Sequence, residues 1–406
     1  MDHLHTSAPR AGRRPRWLAA LVAVVAALFL AGGLAAPAQA AAATTVLTVS
    51  ASDYSVSSGA SVTVTGTLKR GSKAVSGVYV TLQKRTAGNS KWTTVKKTKT
   101  SSKGKVSAKV SKLAKNTEIR AVFSGTSKYK ASKSSAKKVT VTQKVTVTKT
   151  STTKPTKGAD ITLSGTTTSG LAGKKVYLQQ KFGTTWKNVP FESASSKVTQ
   201  EKTFTVSTKA GSAGKATYRV YAPASASTKS ATSAEKAFTV YQWFKLSQTA
   251  PSSASEWVGG WKGFLPGQAS INGKTFADAL ADFHGYDGDG ERISPDQPTW
   301  SVWTVDRRCQ TLEVTIGMDD DSAPGAAADF VVYGVPDASA PDVYEEFYAG
   351  TFETGNASAK RSYSVAKFDE VELRAWESET ASYGLGEQGI PVFADAKVLC
   401  SSKPAA

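Results

Sequence analysis

Gly66 returns as Gly165, Arg120 as Arg219 and Val141 as Val240, each at a spacing of 99 residues. Around these positions "SVTVTGTLKRGSKAVSGVYVTLQKRTAGNSKWTTV" (61–95) recurs as "DITLSGTTTSGLAGKKVYLQQKFGTTWKNV" (160–189), and "EIRAVF" (118–123) recurs as "TYRVYA" (217–222). Within each copy apolar residues alternate, as in Val62 and Val64 or Val78, Val80 and Leu82, and clusters of Gly, Ser, Asn or Lys divide the runs. A side-chain period of two buries one face of a strand and wets the other, so the pattern calls for half-buried antiparallel strands. A period near 100 residues is the length of one two-sheet sandwich. Residues 44–141 and 142–241 are therefore predicted to form two tandem β-sandwich units, with Trp92 and Trp186 filling their cores.

Charge divides the chain further. The formal net charge is +19, made of +29 over residues 44–241 and −13 over 242–406, with the remainder in the first 43 residues. A strongly basic stalk precedes an acidic head. The rhythm of the stalk resembles that of immunoglobulin-like domains of bacterial secreted surface proteins over nearly all of 44–241, which implies that fold for both copies.

Residues 1–40 place Arg10, Arg13, Arg14 and Arg16 ahead of an apolar run from Trp17 to Leu34 and finish in Ala-Pro-Ala-Gln-Ala. This reads as a secretory signal peptide rather than a membrane anchor, with the mature chain starting near Ala41. No second apolar stretch approaches the about 20 residues of a membrane span. The chain ends in "SSKPAA" without a sorting motif, so a secreted product, extracellular or held non-covalently in the cell wall, is expected. In an exported chain the two cysteines, Cys309 and Cys400, favour a disulfide over free thiols or a metal pair.

In the stalk, "KKTKTSSKGKVSAKVSKLAK" (96–115) sets Lys97, Lys99, Lys103, Lys105 and Lys109 at odd positions, which would share a face on paired strands. Such a comb either holds an anionic wall polymer or simply keeps sheet edges unpaired and the stalk soluble. Nucleic acid is disfavoured as a partner, because Arg is scarce and the Lys are not interleaved with exposed aromatics.

The head keeps the alternation. "CQTLEVTIG", "DFVVYG" and "VELRAW" are strand candidates, and only "TFADALADF" (275–283) suggests a short helix. An all-β sandwich follows. In order along the head come "INGKTFADAL" (271–280), "TIGMDDDSAPGAAADFVVYG" (315–334), "YAGTF" (348–352), "VELRAW" (371–376) and "VFADAKVL" (392–399). From about Leu246 to Cys400 this succession resembles the NPCBM-type module, a carbohydrate-binding module found beside certain glycoside hydrolases. The resemblance implies a jelly-roll-like β-sandwich over 242–406 and binding of a glycan. Two departures stand out: in "ALADFH" His284 comes one residue later than the family's histidine, and at the end "GIPVFADA" leaves Phe393 for the family's final Trp with no Asp-His before it, which sets this head apart from galactose-type relatives.

Asp319, Asp320 and Asp321 fall on the family's Asp-Asp turn. Asp carboxylates accept backbone N–H groups and so shape tight turns, which is the favoured reading, with calcium ligation the alternative. "YDGDGER" (286–292) fails as an EF-hand, because Arg292 and Pro298 stand where Gly and Glu are needed, and reads as a Gly-rich surface turn.

Sugar sites combine an exposed aromatic plate with a few orienting polar groups. Trp376 is the leading candidate, because with Glu372 and Arg374 it faces away from Val371, Leu373 and Ala375. Trp261 lies among glycines; in "WSVWTV", Trp300 and Trp303 fall on opposite faces, so at most one is free; His284 is the single histidine of the mature chain. The candidate carbohydrate site is thus Trp261, His284, Trp300 and Trp376, while Trp243 sits at the module junction. No G-x-S-x-G elbow and no histidine set for zinc is present, so a non-catalytic protein is expected, with glycoside cleavage by paired carboxylates a remote option.

Overall fold

The computed structural model describes residues 41–256, 263–282, 298–340, 342–379, 381 and 388–405. The signal-peptide reading of residues 1–40 lies outside these. Among the described residues the chain is built of strands with three short 3₁₀ turns, and no helix is long and apolar enough to cross a membrane.

The first stalk unit is an immunoglobulin-like sandwich. One sheet pairs Val62–Arg70 with Val46–Ala51 on one side and Lys105–Val110 on the other. The facing sheet runs Ser55–Ser57, Lys137–Thr142, Thr117–Phe123, Tyr79–Thr86 and Thr93–Lys99, with the first pair parallel and the rest antiparallel. The alternation is realised as read: Val62, Val64 and Leu68 are buried while Thr63 and Lys69 face water. Gly66 takes an inward place on that strand because a Cβ there would meet Val106, Leu82 and Ala121 at 3.0–3.3 Å. Its repeat Gly165 is tighter still, with the Thr146 carbonyl 2.0 Å from where a Cβ would stand. The second unit repeats the arrangement with Val145–Thr150, Asp160–Thr167 and Thr203–Lys209 opposite a sheet centred on Lys175–Phe182 and Gly214–Ala222.

The units meet through satisfied polar groups. Gln143, 5% exposed, donates from Nε2 to the Ala114 and Val141 carbonyls and accepts at Oε1 from the Thr168 hydroxyl at 2.7 Å, while Asn116 N–H donates to the Ser227 carbonyl at 2.8 Å.

Two expectations are corrected here. Trp92 and Trp186 do not fill the cores: both are half-buried on the outer side of the larger sheet, and Phe123 in one unit and Phe204, Tyr218 and Phe238 in the other supply the core rings. The odd-numbered lysines do not share a face. Lys97 and Lys99 lie on Thr93–Lys99, which pairs with Tyr79–Thr86, whereas Lys105 and Lys109 lie on Lys105–Val110 in the opposite sheet. The chain crosses the sandwich edge between them.

In the head, a six-stranded sheet runs Leu265–Ile271, Lys274–Ala281, Pro391–Cys400, Cys309–Met318 and Ala359–Ser364, with Gln242–Lys245 also on Pro391–Cys400. A five-stranded sheet runs Ser253–Ala254, Thr299–Thr304, Glu370–Glu377, Ala327–Val335 and Glu345–Glu353. Between them lies a core containing Trp303, Leu312, Ile316, Phe330, Phe368, Leu373 and Phe393. Phe393, at the position of the missing Trp, packs edge-on against Phe264 and Phe330 with centroids 5.1 and 5.3 Å apart. The helix expected over 275–283 is instead the strand Lys274–Ala281, up to the last described residues of that segment. Its Leu280 enters the main core while Phe276, Ala279 and Ala281 enter a second cluster with Ile271, Ile390 and Val392, so burial on both faces erased the alternation. Trp243, placed by sequence at a junction, belongs to the head sheet, where the Lys397 ammonium lies 5.0 Å from its ring centre.

Cys309 and Cys400 form a disulfide between directly opposed positions of neighbouring strands, closing 91 residues of sequence separation. Replacing both by serine is expected to destabilise the head by about 2–5 kcal/mol, read as a lowered melting transition in calorimetry of the full chain while the transition of the two stalk sandwiches stays in place.

Candidate functional site

The acidic turn is a structural staple. Asp319, 4% exposed, accepts the Ser270 N–H at Oδ2 (3.1 Å) and the Asp321 N–H at Oδ1 (2.9 Å). Asp320 accepts the Gly273 N–H at 2.8 Å and donates its own N–H to the Ser270 carbonyl at 2.7 Å. Gly273 and Asn272 form the two-residue turn between Leu265–Ile271 and Lys274–Ala281 with φ of +74° and +48°, the Asn-Gly turn whose twist suits a hairpin. Gly317, two residues before the acidic turn, has no Cβ to collide with Ile271, whose Cγ2 lies 2.6 Å from the position it would take. The carboxylates therefore clamp the hairpin to the sheet. Both Asp319 oxygens face N–H donors, and among the described residues no three acidic, histidine or cysteine side chains converge.

The outer face of the five-stranded sheet is different in kind. Cross-strand register puts Trp300, Arg374 and Val331 in one row across successive strands, and Trp376, Asp329 and Thr351 in the next. Trp300 and Trp376 are then diagonal neighbours on one face, a relation that places Cβ atoms about 7–8 Å apart. Both indoles are half-buried, whereas Trp303 on the opposite face of its strand is 1% exposed and donates its indole N–H to the Thr249 carbonyl at 2.8 Å. The alternation in "WSVWTV" and "VELRAW" is obeyed in full. Trp261 and His284, the other two candidate site residues, lie outside the described residues, as does "YDGDGER".

Groups that sequence reasoning did not assign complete the face. Arg374 donates from Nε to Glu372 Oε1 at 2.6 Å and holds its guanidinium 5.3 Å from the Tyr333 ring centre. Tyr333 packs on Tyr344 with centroids 4.6 Å apart. Asp329 accepts the Thr351 hydroxyl. Their signal was present in the sequence, since Glu372 and Arg374 share the phase of Trp376, but which strands flank them is a property of topology. Burial pushes the Glu372 carboxyl above its ordinary range, with the Arg374 charge pulling the other way.

That shift has a sign. A carboxyl raised in the folded state contributes stability that is complete below its ordinary value of 4.5 and lost as pH rises through the raised value. Glu372→Gln removes this loss, so the melting temperature of the variant relative to the parent chain is expected to climb between pH 4 and pH 7; a constant offset refutes the assignment. Asp319→Ala, which strands two N–H donors, is expected to lower stability by about 1–3 kcal/mol at neutral pH in denaturant titration.

No family model matches the chain, and no curated protein matches it. Among solved structures it is similar to the D0-D1 domain of intimin at 16% identity and a TM-score of 0.20, over 48% of this chain and 100% of that one. It is similar to the Yersinia pseudotuberculosis adhesin InvE at 16% identity and a TM-score of 0.31, over 57% and 66% of the two chains. The chicken CNTN1 FN1-FN3 domains give 10% identity and a TM-score of 0.22, over 87% and 99%. Likenesses at these scores carry no argument about partner or activity, and the site rests on its own geometry.

Proposed function

We propose that this chain is an extracellular, non-catalytic adhesive protein in which two stalk domains, 44–141 and 142–241, carry a glycan-binding head, 242–406. The observation that carries the reading is the placement of Trp300 and Trp376 on one outer sheet face, with Arg374 directly opposite Trp300 and two positions before Trp376 on the same strand. A pyranose lays its C–H face on an indole, and the flanking Arg374 and Asp329 offer a donor and an acceptor for hydroxyls. The order of the head's motifs, from Asn272-Gly273 to Phe393, supports an NPCBM-type reading of the same unit. Val343 and Tyr344, 60% and 51% exposed at the rim of this face, favour a second reading in which the head grips protein.

Glycan-array screening of the full chain, followed by calorimetric titration of the best ligand, separates the two. Trp376→Ala and Trp300→Ala are each expected to weaken glycan binding by about tenfold or more, or about 1.4 kcal/mol, without unfolding the head. Glycan binding unchanged by both substitutions refutes this face as the site.

A further inference from the structure

The stalk has four arginines among its 35 cationic side chains, and three of them lie against its two tryptophans. In the first sandwich the Arg120 guanidinium sits 4.0 Å from the Trp92 ring centre and Arg85 sits 4.6 Å away. In the second, Arg219 sits 4.2 Å from the Trp186 ring centre. Each of the repeated arginines donates its Nε–H to a glutamine on the neighbouring strand: Arg120 to Gln83 and Arg219 to Gln179, both at 2.8 Å. Gln179 is itself held by donating from Nε2 to Asn188 at 2.9 Å. Arg85 is neutralised by Glu118, with Nη2 at 2.6 Å from the carboxylate. Arg120 and Arg219 meet no carboxylate among the described residues.

This is an unusual way to keep a cation. The Nε edge is occupied by a neutral amide and the face by an indole, so the guanidinium plane is fixed while the Nη donors stay available. Burial and the adjacent Arg85 both push the Arg120 guanidinium below its ordinary range, which marks a charge without compensation. Covering a tryptophan needs no such arrangement, and a lysine stem would do it. A fixed fork with free Nη donors fits an oxyanion bidentately. One flank suits a sugar chain. Tyr79, 55% exposed and on the face of Gln83, has Lys97 and Lys99 at 5.6 and 5.5 Å from its ring centre. Single-stranded nucleic acid would stack its bases on open indole faces, and here guanidinium groups lie against both indoles.

We propose that the outer faces of the larger stalk sheets bind an acidic polysaccharide, its carboxylates seated on the Arg120 and Arg219 forks and its rings passing over Tyr79 in the first sandwich. This site is independent of the one assigned to the head.

The test is titration of the full chain with alginate, a polyuronate, beside dextran as a neutral chain and an oligo(dT) strand. Arg120→Lys combined with Arg219→Lys preserves net charge and ring cover but removes the forks. It is expected to weaken alginate binding by about tenfold or more, with the melting temperature held. The Nε–H resonances of Arg120 and Arg219 in the parent chain are expected to shift on adding alginate, a readout that does not depend on any variant folding. Absence of alginate binding, affinity unaltered by the double substitution, equal binding of dextran, or tighter binding of oligo(dT) would each overturn the proposal.

Discussion

The antiparallel pair of Cys309–Met318 and Pro391–Cys400 governs the head, because it is clamped at both ends by different chemistry. At one end the disulfide joins the two strands covalently. At the other, Asp319 N–H donates to the Ile390 carbonyl at 2.9 Å, Ile390 N–H donates to the Ser322 hydroxyl at 3.0 Å, and the acidic turn holds the Asn272-Gly273 hairpin alongside. The chain between the clamps leaves the six-stranded sheet, rejoins it at Ala359–Ser364, leaves again and returns at Pro391–Cys400. The strands Ala327–Val335 and Glu370–Glu377, which carry Asp329 and Trp376, lie on these two excursions. The clamped pair thus brackets Asp329 and Trp376 in sequence without belonging to their sheet, while Trp300 on Thr299–Thr304 precedes it.

Two of the motifs that resemble the NPCBM-type module, the Asn272-Gly273 turn and the stretch from Gly317 to Asp320, are devices of this clamp. Asn272 and Gly273 adopt the positive φ values that a two-residue hairpin needs, Gly317 gives way to Ile271, and the first two aspartates of the turn accept N–H groups. None of these residues lies on the sheet that bears Trp300 and Trp376. Resemblance at such positions reports how the backbone is held, and recognition of a ligand is decided elsewhere. Phe393 likewise has a packing role: it is fully buried and makes two edge-on ring contacts.

What was legible in the sequence follows from the same physics. The phase of "VELRAW" and "WSVWTV" was readable because successive side chains on a strand oppose each other whatever the neighbouring strands are. The disulfide was readable from an even cysteine count in a chain expected to be exported. The strand Lys274–Ala281 was not, because a strand covered on both faces loses its period and its small apolar run imitates a helix. Trp92 and Trp186 were misplaced for another reason: a large ring looks like core until an arginine 99 residues from its own copy turns out to roof it on the outer face. The lysine comb failed because odd spacing defines a face only within one sheet, and the chain changes sheets between Lys99 and Lys105.

Charge in the stalk should accordingly be weighed by how firmly it is held as well as by how much there is. Most of the 35 cations are exposed lysines on flexible stems. Each loses side-chain entropy when it engages a partner, and exposed ion pairs return little for that loss. Arg120 and Arg219 have already lost it, because folding fixed them against an indole and an amide. Two such groups, kept at equivalent places in sandwiches whose surrounding charges differ, contribute orientation that dispersed lysines do not. The lysines then supply long-range attraction and the two forks supply register, a division of labour that the net charge of the stalk does not reveal.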